Sequence, residues 1–284
     1  MVRSYSRVEK ILREIASGSE VISLNEIGQI TYWPNGYNLY MIDITDKKYG
    51  SDRKKNVCIS AGIHGDEPAG VEAVIRFLTD ISQGSPILRS VNITLFPCNN
   101  PYGYEAGQRN NGNSNDLNRE FRRKKPDAEV LLIKRGLAGR SFDLSLELHE
   151  DVDSPGFYLY ELKKDTEVSF GKEIINIISE RYPVNLNEEI EGMRADGGVI
   201  SLKGSESEIK EMIQKRRRWP QALYQFNRGT RHCITCETPV NIRMEERANM
   251  HLLVTEYLLK RLGGVTHECA EKAYQFLPVQ VRSG

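Results

Sequence analysis

Two histidines and one glutamate are the residues whose types and positions point most directly to chemistry. His64 and Glu67 follow a predicted strand that ends at Ala61, and His149 follows a predicted strand that ends at Leu148. In an open α/β sheet, ligands collect beyond the carboxyl ends of the strands, so these three side chains are expected to meet there. Two imidazoles and one carboxylate are a donor set typical of catalytic zinc. The sequence therefore predicts one zinc ion per chain, held by His64, Glu67 and His149.

The local sequence around His64 supports this prediction. Gly62 and Gly65 flank the histidine and allow a sharp turn, so that the side chains of His64 and Glu67 can point to one place. A lone His-x-x-Glu pair also arises by chance, and a single histidine at a strand end is often a simple hydrogen-bonding residue. The zinc hypothesis therefore depends on the motifs that accompany these residues.

Further polar motifs occur in a defined order along the chain. They are Asn100-Pro101-x-Gly103, Arg109, Asp116-x-Asn118-Arg119 and, after His149, Glu237-Thr238. Together with His64-x-x-Glu67, this ordered set resembles the zinc carboxypeptidase superfamily. That superfamily includes carboxypeptidase A-like metallocarboxypeptidases, bacterial murein peptide amidases and the succinylglutamate desuccinylase/aspartoacylase branch. The resemblance spans residues 28–262, and its specificity comes from the order and joint occurrence of the motifs.

The resemblance implies a role for each carboxylate near the zinc ligands. Asp116 is expected to accept the second ring N–H of His64, because such partners set the tautomer of a ligating imidazole. Glu237 is expected to be the general base that takes a proton from the zinc-bound water and passes it to the leaving nitrogen. The ordinary interpretation of Glu237 is one more carboxylate at a strand end.

The resemblance also implies roles for three residues that would contact the substrate. Arg109 is expected to stabilise the oxyanion of the tetrahedral intermediate. Asn118 and Arg119 are expected to hold a substrate carboxylate, whose two oxygens match the two prongs of a guanidinium. Taken alone, Arg109 is also consistent with an ordinary loop arginine, and Asn118-Arg119 with the start of the next segment.

Alternating helices and strands are predicted over most of the chain. Predicted helices cover 5–16, 128–137, 172–181, 206–217 and 245–261, and a further helix begins at Pro68. Predicted strands cover 37–44, 56–61, 91–96, 142–148, 157–160 and 232–237, and 185–204 is predicted to be a loop. This alternation indicates an α/β protein with a largely parallel sheet. With the resemblance, we expect a three-layer α/β/α, zinc-carboxypeptidase-like fold with a central mixed sheet, and a single catalytic domain over residues 1–284.

Composition narrows the class of protein. The 284 residues are 39% hydrophobic and 27% charged, as in ordinary globular chains. Lysine plus arginine and aspartate plus glutamate are equal at 39 each, so neither a nucleic-acid nor a membrane partner is expected. The first residues lack the apolar stretch of a secretory signal, and five cysteines suit a reducing compartment. A cytoplasmic location is the expectation.

Several conspicuous residues have an ordinary interpretation. The basic runs 122–125 and 215–218 are expected to be solvated, with an anionic substrate or an acidic partner as the next interpretation. The carboxylates near His149 are likewise expected to form a solvated rim, with attraction of a substrate amine as the alternative; they are Glu147, Glu150, Asp151 and Asp153. Cys233 and Cys236 are expected to pack on opposite faces of a strand. His251 and His267 are expected to be structural, and the candidates for a tyrosine that covers the substrate are Tyr158, Tyr160 and Tyr224.

The expected function is that of a zinc-dependent metallocarboxypeptidase that hydrolyses the amide bond next to a terminal residue with a free carboxylate. An N-acyl-amino-acid deacylase of the succinylglutamate desuccinylase/aspartoacylase kind is the alternative, because its substrate also offers a carboxylate to Asn118 and Arg119. A non-catalytic binding protein on the same scaffold is the alternative of another class. The expected partner is thus a peptide or N-acyl amino acid, and the sequence leaves the natural substrate and the oligomeric state open.

Overall fold

The computed structural model describes residues 3–50, 54–202 and 205–264. The helices are α1 (Tyr5–Ser17), α2 (Ala69–Ile81), α3 (Pro101–Ala106), α4 (Ala128–Leu137), α5 (Gly171–Ser179), α6 (Glu206–Lys215), α7 (Gln221–Asn227) and α8 (Met244–Leu262). The strands are β1 (Ile22–Tyr32), β2 (Asn35–Ile44), β3 (Lys55–Ala61), β4 (Val91–Phe96), β5 (Leu144–Asp151), β6 (Tyr158–Lys163), β7 (Glu189–Ile190), β8 (Met193–Arg194), β9 (Val199–Ser201) and β10 (His232–Pro239). Short 3-10 turns cover Pro86–Arg89 and Leu117–Arg119. His267 and Cys269 lie outside the described residues.

Eight of these strands form one mixed sheet. Their order is β1-β2-β4-β3-β5-β10-β6-β9, and β7 pairs with β8 in a separate hairpin. The central strands β4, β3, β5 and β10 are parallel to one another, whereas the pairs β1–β2, β2–β4 and β10–β6 are antiparallel. The predicted mixed, largely parallel sheet is confirmed. The carboxyl ends of β3, β5 and β10 therefore lie side by side at one edge.

Helices cover both faces of the sheet. The apolar side chains of α1, α2, α5 and α8 belong to one core cluster, and those of α4, α6 and α7 belong to a second. Alternate residues of the strands point into these two clusters: Val57 and Ile59 of β3 face the first, and Cys58 faces the second. The expected three-layer arrangement is thus confirmed.

The alternation along β5 decides where its polar residues lie. Leu144, Leu146 and Leu148 pack into the first core cluster. Ser145, Glu147 and His149 therefore point to the other face, towards α7. From Leu144 to His149 this strand is polar on one face only, and that face leads to the site.

The structure differs from the sequence-based prediction in some elements. β1 was not predicted as a strand, because its residues are mostly half-buried or exposed and it contains Gly28 at a register shift. The predicted loop 185–204 contains β7, β8 and β9, whose two or three residues are too short to show a period. β5 continues to Asp151, so His149 lies within the strand instead of after it. Over the described part of the chain, the helices include none with the length and hydrophobicity needed to span a membrane.

Candidate metal centre

A tight turn after β3 presents the first two candidate ligands. Gly62 adopts a positive φ of 62°, a conformation that favours glycine. A Cβ atom at Gly65 would lie 1.9 Å from the carbonyl carbon of Gly103, so a larger residue does not fit there without a shift of backbone. The two glycines thus allow the close turn that carries His64, and α2 begins shortly after Glu67.

The structure brings the three predicted ligands together. One donor atom from each of His64, Glu67 and His149 lies within 4.8 Å of the others, and all three residues are buried. Nδ1 of His64 is 2.6 Å from Oε1 of Glu67, and Nδ1 of His149 is 2.8 Å from Oε2 of the same carboxylate. Their convergence is a feature of the fold, whereas their role as ligands stays a prediction.

The donor set fits a divalent cation. Both imidazoles direct Nδ1 to the shared carboxylate, and Nε2 of His64 lies 3.2 Å from Oδ1 of Asp116, which can accept its proton. A neutral imidazole that uses Nδ1 as its ligand atom carries its proton at Nε2, so Asp116 favours the ligating tautomer of His64. Burial raises the pKa of Glu67, but His64 and His149 outweigh it and hold this pKa well below its usual value. Glu67 is therefore an anion, as a metal ligand must be.

Glu237 lies beside the candidate ligands on β10. It is the register partner of His149 on β5, and its side chain lines the same cavity. Burial raises the pKa of Glu237 to about 8; His149 and Arg109 oppose this rise, and Glu67 and Asp151 add to it. No hydrogen bond to its carboxylate is formed by the residues that the structure describes. A carboxylate that is free and has a raised pKa is suited to take up a proton.

Three further predicted residues surround the same cavity. Arg109 donates from Nη1 to Glu67 Oε1 at 3.2 Å and from Nη2 to Asp116 Oδ2 at 3.2 Å. Asn118 and Arg119 lie on the 3-10 turn, where Asp116 accepts the backbone N–H of Asn118 at 2.9 Å. Asp116 thus holds both His64 and the turn that carries Asn118 and Arg119.

The cavity itself has a volume of about 1030 Å³. His64, Glu67 and His149 line its polar end together with Arg109, Asn118, Arg119 and Glu237. Apolar side chains line another part; they are Leu162, Ile200, Leu202, Ala222 and Leu223. Its size and mixed lining suit a small molecule or the end of a peptide.

Comparisons with known proteins agree with this fold. Residues 53–180, less than half of the chain, match the family described as succinylglutamate desuccinylase/aspartoacylase catalytic domain. Carboxypeptidase A from Helicoverpa armigera has a similar fold, with a TM-score of 0.65 and 16% identity over 94% of this chain and 75% of that chain. The resemblance to the zinc carboxypeptidase superfamily is confirmed. A Shewanella denitrificans OS217 protein, provisionally named a metallopeptidase, has the same carboxypeptidase-like fold at a TM-score of 0.72, with 21% identity over 91% of this chain and 90% of that chain.

Similarity to a curated carboxypeptidase is confined to part of each chain. Carboxypeptidase SOL1 from Arabidopsis thaliana is 31% identical over 122 residues, which is 40% of this chain. The match covers 24% of the length of that relative. The chain thus spans less than a third of the length of each curated carboxypeptidase that it matches.

Two carboxylates of this candidate site were wrongly expected to lie on a solvated rim. Glu147 and Glu150 are 3% and 5% exposed, whereas Asp151 is half-buried and Asp153 is exposed, as a rim requires. Glu147 points to the face of the sheet that carries His149, and its Oε2 lies 3.8 Å from His149 Nε2. The strict alternation of β5 was the signal that places Glu147 and His149 on one face.

Glu150 is buried because it joins three segments of the structure. Its Oε1 accepts the backbone N–H of Ala69 at 2.7 Å, and its other oxygen pairs with Arg247 of α8. Its own backbone N–H donates to Oε2 of Glu67 at 3.2 Å. Arg247 lies 97 positions away in the sequence, so no local pattern indicates this pair.

The remaining sequence expectations have mixed outcomes. Tyr158 and Tyr160 line the cavity, whereas Tyr224 does not line it and packs near Phe121. Cys233 and Cys236 belong to different core clusters, which confirms that they lie on opposite faces of β10. His251 is fully buried within α8, as a structural residue is expected to be.

Proposed function

We propose that this chain is a zinc-dependent metallocarboxypeptidase, which hydrolyses the amide bond next to a terminal residue with a free carboxylate. One observation carries the proposal. Nδ1 of His64 and Nδ1 of His149 converge on the Glu67 carboxylate in a cavity that also contains Glu237 and Arg109. Bound by these three residues, zinc would supply a Lewis acid that polarises the substrate carbonyl and acidifies water.

Glu237 is suited to move the proton in this reaction. Burial raises its pKa, and a higher pKa makes the ionised carboxylate a stronger base towards the attacking water. The same group can then donate that proton to the leaving nitrogen. One side chain thus serves as base in the first step and as acid in the second.

Arg109 is suited to stabilise the developing negative charge. Its side chain is 43% exposed and lines the cavity, while Glu67 and Asp116 hold its guanidinium in place. A cation held in advance needs no reorganisation when the carbonyl oxygen becomes an oxyanion.

Asn118 and Arg119 support recognition of the terminal carboxylate. The backbone N–H of Gln221 donates to Asn118 Oδ1 at 2.9 Å, which orients the Asn118 amide, and Arg119 is exposed at the cavity. Within the described part of the chain, no carboxylate forms an ion pair with Arg119. Its guanidinium is therefore available for a bidentate contact with substrate.

An N-acyl-amino-acid deacylase is the second candidate. It is favoured by the match of residues 53–180 to the succinylglutamate desuccinylase/aspartoacylase catalytic domain. Such a substrate also carries a carboxylate for Asn118 and Arg119.

Paired substrate assays test both candidates. The zinc-loaded protein is offered hippuryl peptides in parallel with N-acetyl- and N-succinyl-amino acids, and its zinc content is measured by elemental analysis. Hydrolysis of the hippuryl peptides is the expected result. Hydrolysis of only the acyl amino acids would show that the protein is a deacylase and not a carboxypeptidase. Bound zinc with no hydrolysis of either set would favour the non-catalytic binding protein.

A cytoplasmic location and a single domain over residues 1–284 also stay proposals. Cys58, Cys98, Cys233 and Cys236 are buried free thiols, which supports a reducing compartment. The continuous eight-stranded sheet supports a single domain.

A further inference from the structure

The fold places the two basic runs of the sequence next to each other. The backbone N–H of Phe121 donates to the carbonyl of Trp219 at 3.2 Å, and Glu120 forms a parallel bridge with Trp219. Residues 122–125 follow this bridge directly, and residues 215–218 precede it. We call these two runs together the basic surface.

Contacts within the basic surface hold the second run in place. Arg122 donates to the backbone carbonyls of Gln214 and Arg216, and its guanidinium lies 5.2 Å from the ring centroid of Trp219. Trp219 is buried and donates from its indole nitrogen to the carbonyl of Ile213 at 2.9 Å. The segment that carries the three arginines at 216–218 is therefore anchored at both ends.

Most charges of the basic surface have no acidic partner. Arg123 pairs with Glu120, and Lys215 pairs with Glu211 at 2.8 Å. No ion pair to a described carboxylate is formed by Lys124, Lys125 or the arginines 216–218. Self-repulsion among unpaired cations is unfavourable in the free protein, and an anionic ligand relieves it.

The basic surface continues into the candidate site. Arg217 and Arg218 line the main cavity, and they also line a neighbouring cavity of about 500 Å³. Arg119, the proposed carboxylate-binding residue, lines both cavities as well. Arginines of the basic surface thus line the same cavities as the proposed carboxylate-binding residue, together with the carboxylates of Asp116 and Glu120.

We propose that the basic surface binds carboxylate side chains near the C-terminus of an acidic peptide substrate, whose terminal carboxylate is held by Asn118 and Arg119. This inference rests on the proposed function. Arginine is suited to carboxylates because its planar guanidinium pairs with both oxygens. A nucleic-acid strand is a poorer fit, because the aromatic ring between the two runs, Trp219, is buried and offers no stacking surface.

Equilibrium binding tests the proposal independently of hydrolysis. The probe is a fluorescein-labelled decapeptide that ends in four glutamates. The control is the same labelled decapeptide with four glutamines in their place. Both peptides retain the terminal carboxylate. Their dissociation constants are measured by fluorescence anisotropy on the zinc-loaded Glu237→Gln variant, which keeps the peptides intact. We expect the glutamate peptide to bind at least tenfold more tightly than the glutamine peptide. This ratio of the two affinities is expected to fall as the salt concentration is raised.

Paired arginine variants assign the effect to the basic surface. In the Glu237→Gln protein, the further change Arg217→Ala/Arg218→Ala is expected to reduce the ratio of the affinities for the glutamate and glutamine peptides about tenfold. The matched control is Arg135→Ala/Arg228→Ala, which removes two exposed arginines that line neither cavity. This control is expected to keep the ratio of the parent. Equal ratios in the parent and the Arg217→Ala/Arg218→Ala variant would overturn the proposal.

Two further outcomes separate this inference from the proposed function. If the basic surface discriminates between the peptides but the wild-type protein hydrolyses neither, the binding inference stands and the carboxypeptidase proposal fails. If the wild-type protein hydrolyses both at equal kcat/KM and binds them equally, the function stands and the inference fails. Tighter binding of a single-stranded oligonucleotide than of the glutamate peptide, lost in the Arg217→Ala/Arg218→Ala variant, would overturn the assignment to an acidic peptide.

Discussion

At the scale of single residues, the candidate site depends on one carboxylate shared by two imidazoles. Glu67 contacts Nδ1 of His64 and Nδ1 of His149, and its side chain is 8% exposed. Asp116 lies behind His64, whereas Glu237 lies beside the cluster with no hydrogen-bond partner among the described residues. The residues that would hold the metal are thus fixed by contacts, and the residue that would transfer the proton is left free.

Replacement of Glu237 separates proton transfer from metal binding. We expect Glu237→Gln to lower kcat by roughly 10²–10⁴-fold, the usual contribution of a general base. Zinc content, measured by elemental analysis, is expected to be unchanged because Glu237 is not one of the proposed ligands. A variant that binds zinc and hydrolyses as fast as the parent would show that Glu237 is not the base.

At the scale of elements, buried ion pairs connect the helices to the strands that carry the site. Glu150 of β5 accepts the first backbone N–H of α2 and pairs with Arg247 of α8. This arrangement ties the helix that follows Glu67 to the strand that carries His149. Glu161 of β6 similarly accepts the backbone N–H of Phe170 at 2.7 Å, at the start of α5.

Removal of Arg247 tests the first of these pairs. Arg247→Met leaves the Glu150 carboxylate, whose side chain is 0% exposed, without its cation. We expect the free energy of unfolding to fall by roughly 3–5 kcal/mol, as for other broken buried pairs, in urea denaturation. Arg243→Met is the matched control at the N-cap of the same helix, because the Arg243 side chain is 78% exposed and its pair with Glu246 is expected to contribute less than about 1 kcal/mol. Equal losses in the two variants would contradict this account.

The pair formed by Glu161 and His232 predicts a pH dependence of stability. Burial raises the pKa of Glu161, but hydrogen bonds from His232, Ser169 and the Phe170 backbone outweigh it and lower this pKa below its usual value. A carboxyl with a lowered pKa in the folded state stabilises the fold above its unfolded pKa, and this contribution is lost as the pH falls through the folded pKa.

The measurement compares the parent with Glu161→Gln. Between about pH 5 and pH 3, across the usual glutamate pKa of about 4.3, the parent is expected to lose more free energy of unfolding than the variant. Urea titrations at a series of pH values report this difference. Parallel pH profiles for both proteins would rule out Glu161 as the source.

At the scale of the whole molecule, the order of strands assembles the site. β3, β5 and β10 are neighbours and parallel, so the turn after β3, His149 of β5 and Glu237 of β10 meet at one edge of the sheet. α2 and α8 cover one face behind this edge, and α7 leads into the cavity on the other. The basic surface adjoins the same edge, so the substrate site and its proposed acidic-peptide surface form one continuous region.

Zinc is expected to stabilise the whole molecule, because its proposed ligands come from two separate segments that meet only in the folded state. Saturating zinc raises the free energy of unfolding by about 2.7 kcal/mol when its free concentration is 100 times the dissociation constant. We expect a higher Tm with zinc than after chelation, and no zinc-dependent shift in Glu67→Gln. Asp66→Asn is the matched control, since Asp66 is exposed and lies outside the candidate donor set. A zinc-dependent shift of equal size in Glu67→Gln would contradict the assigned donor set.

The sequence predicted that His64, Glu67 and His149 meet, and it predicted most helices and strands with little error. β4 and α4 have the predicted bounds, because their apolar residues follow a clear period. β1 and the β7–β8 hairpin were missed, since edge strands and two-residue strands bury too little for a pattern to show. The interpretation of Glu147 and Glu150 as a solvated rim was wrong because their surroundings come from distant parts of the chain.

Residue type, spacing and order were therefore enough to indicate the chemistry and the fold class, because these depend on local periodicity and on motifs written along the chain. Burial, protonation and the meeting of charges depend on contacts between residues far apart in sequence. The raised pKa of Glu237, the buried pair of Glu150 with Arg247 and the union of the two basic runs arise only when the strands and helices pack. No single segment contains both partners of these contacts, so only the folded chain reveals them.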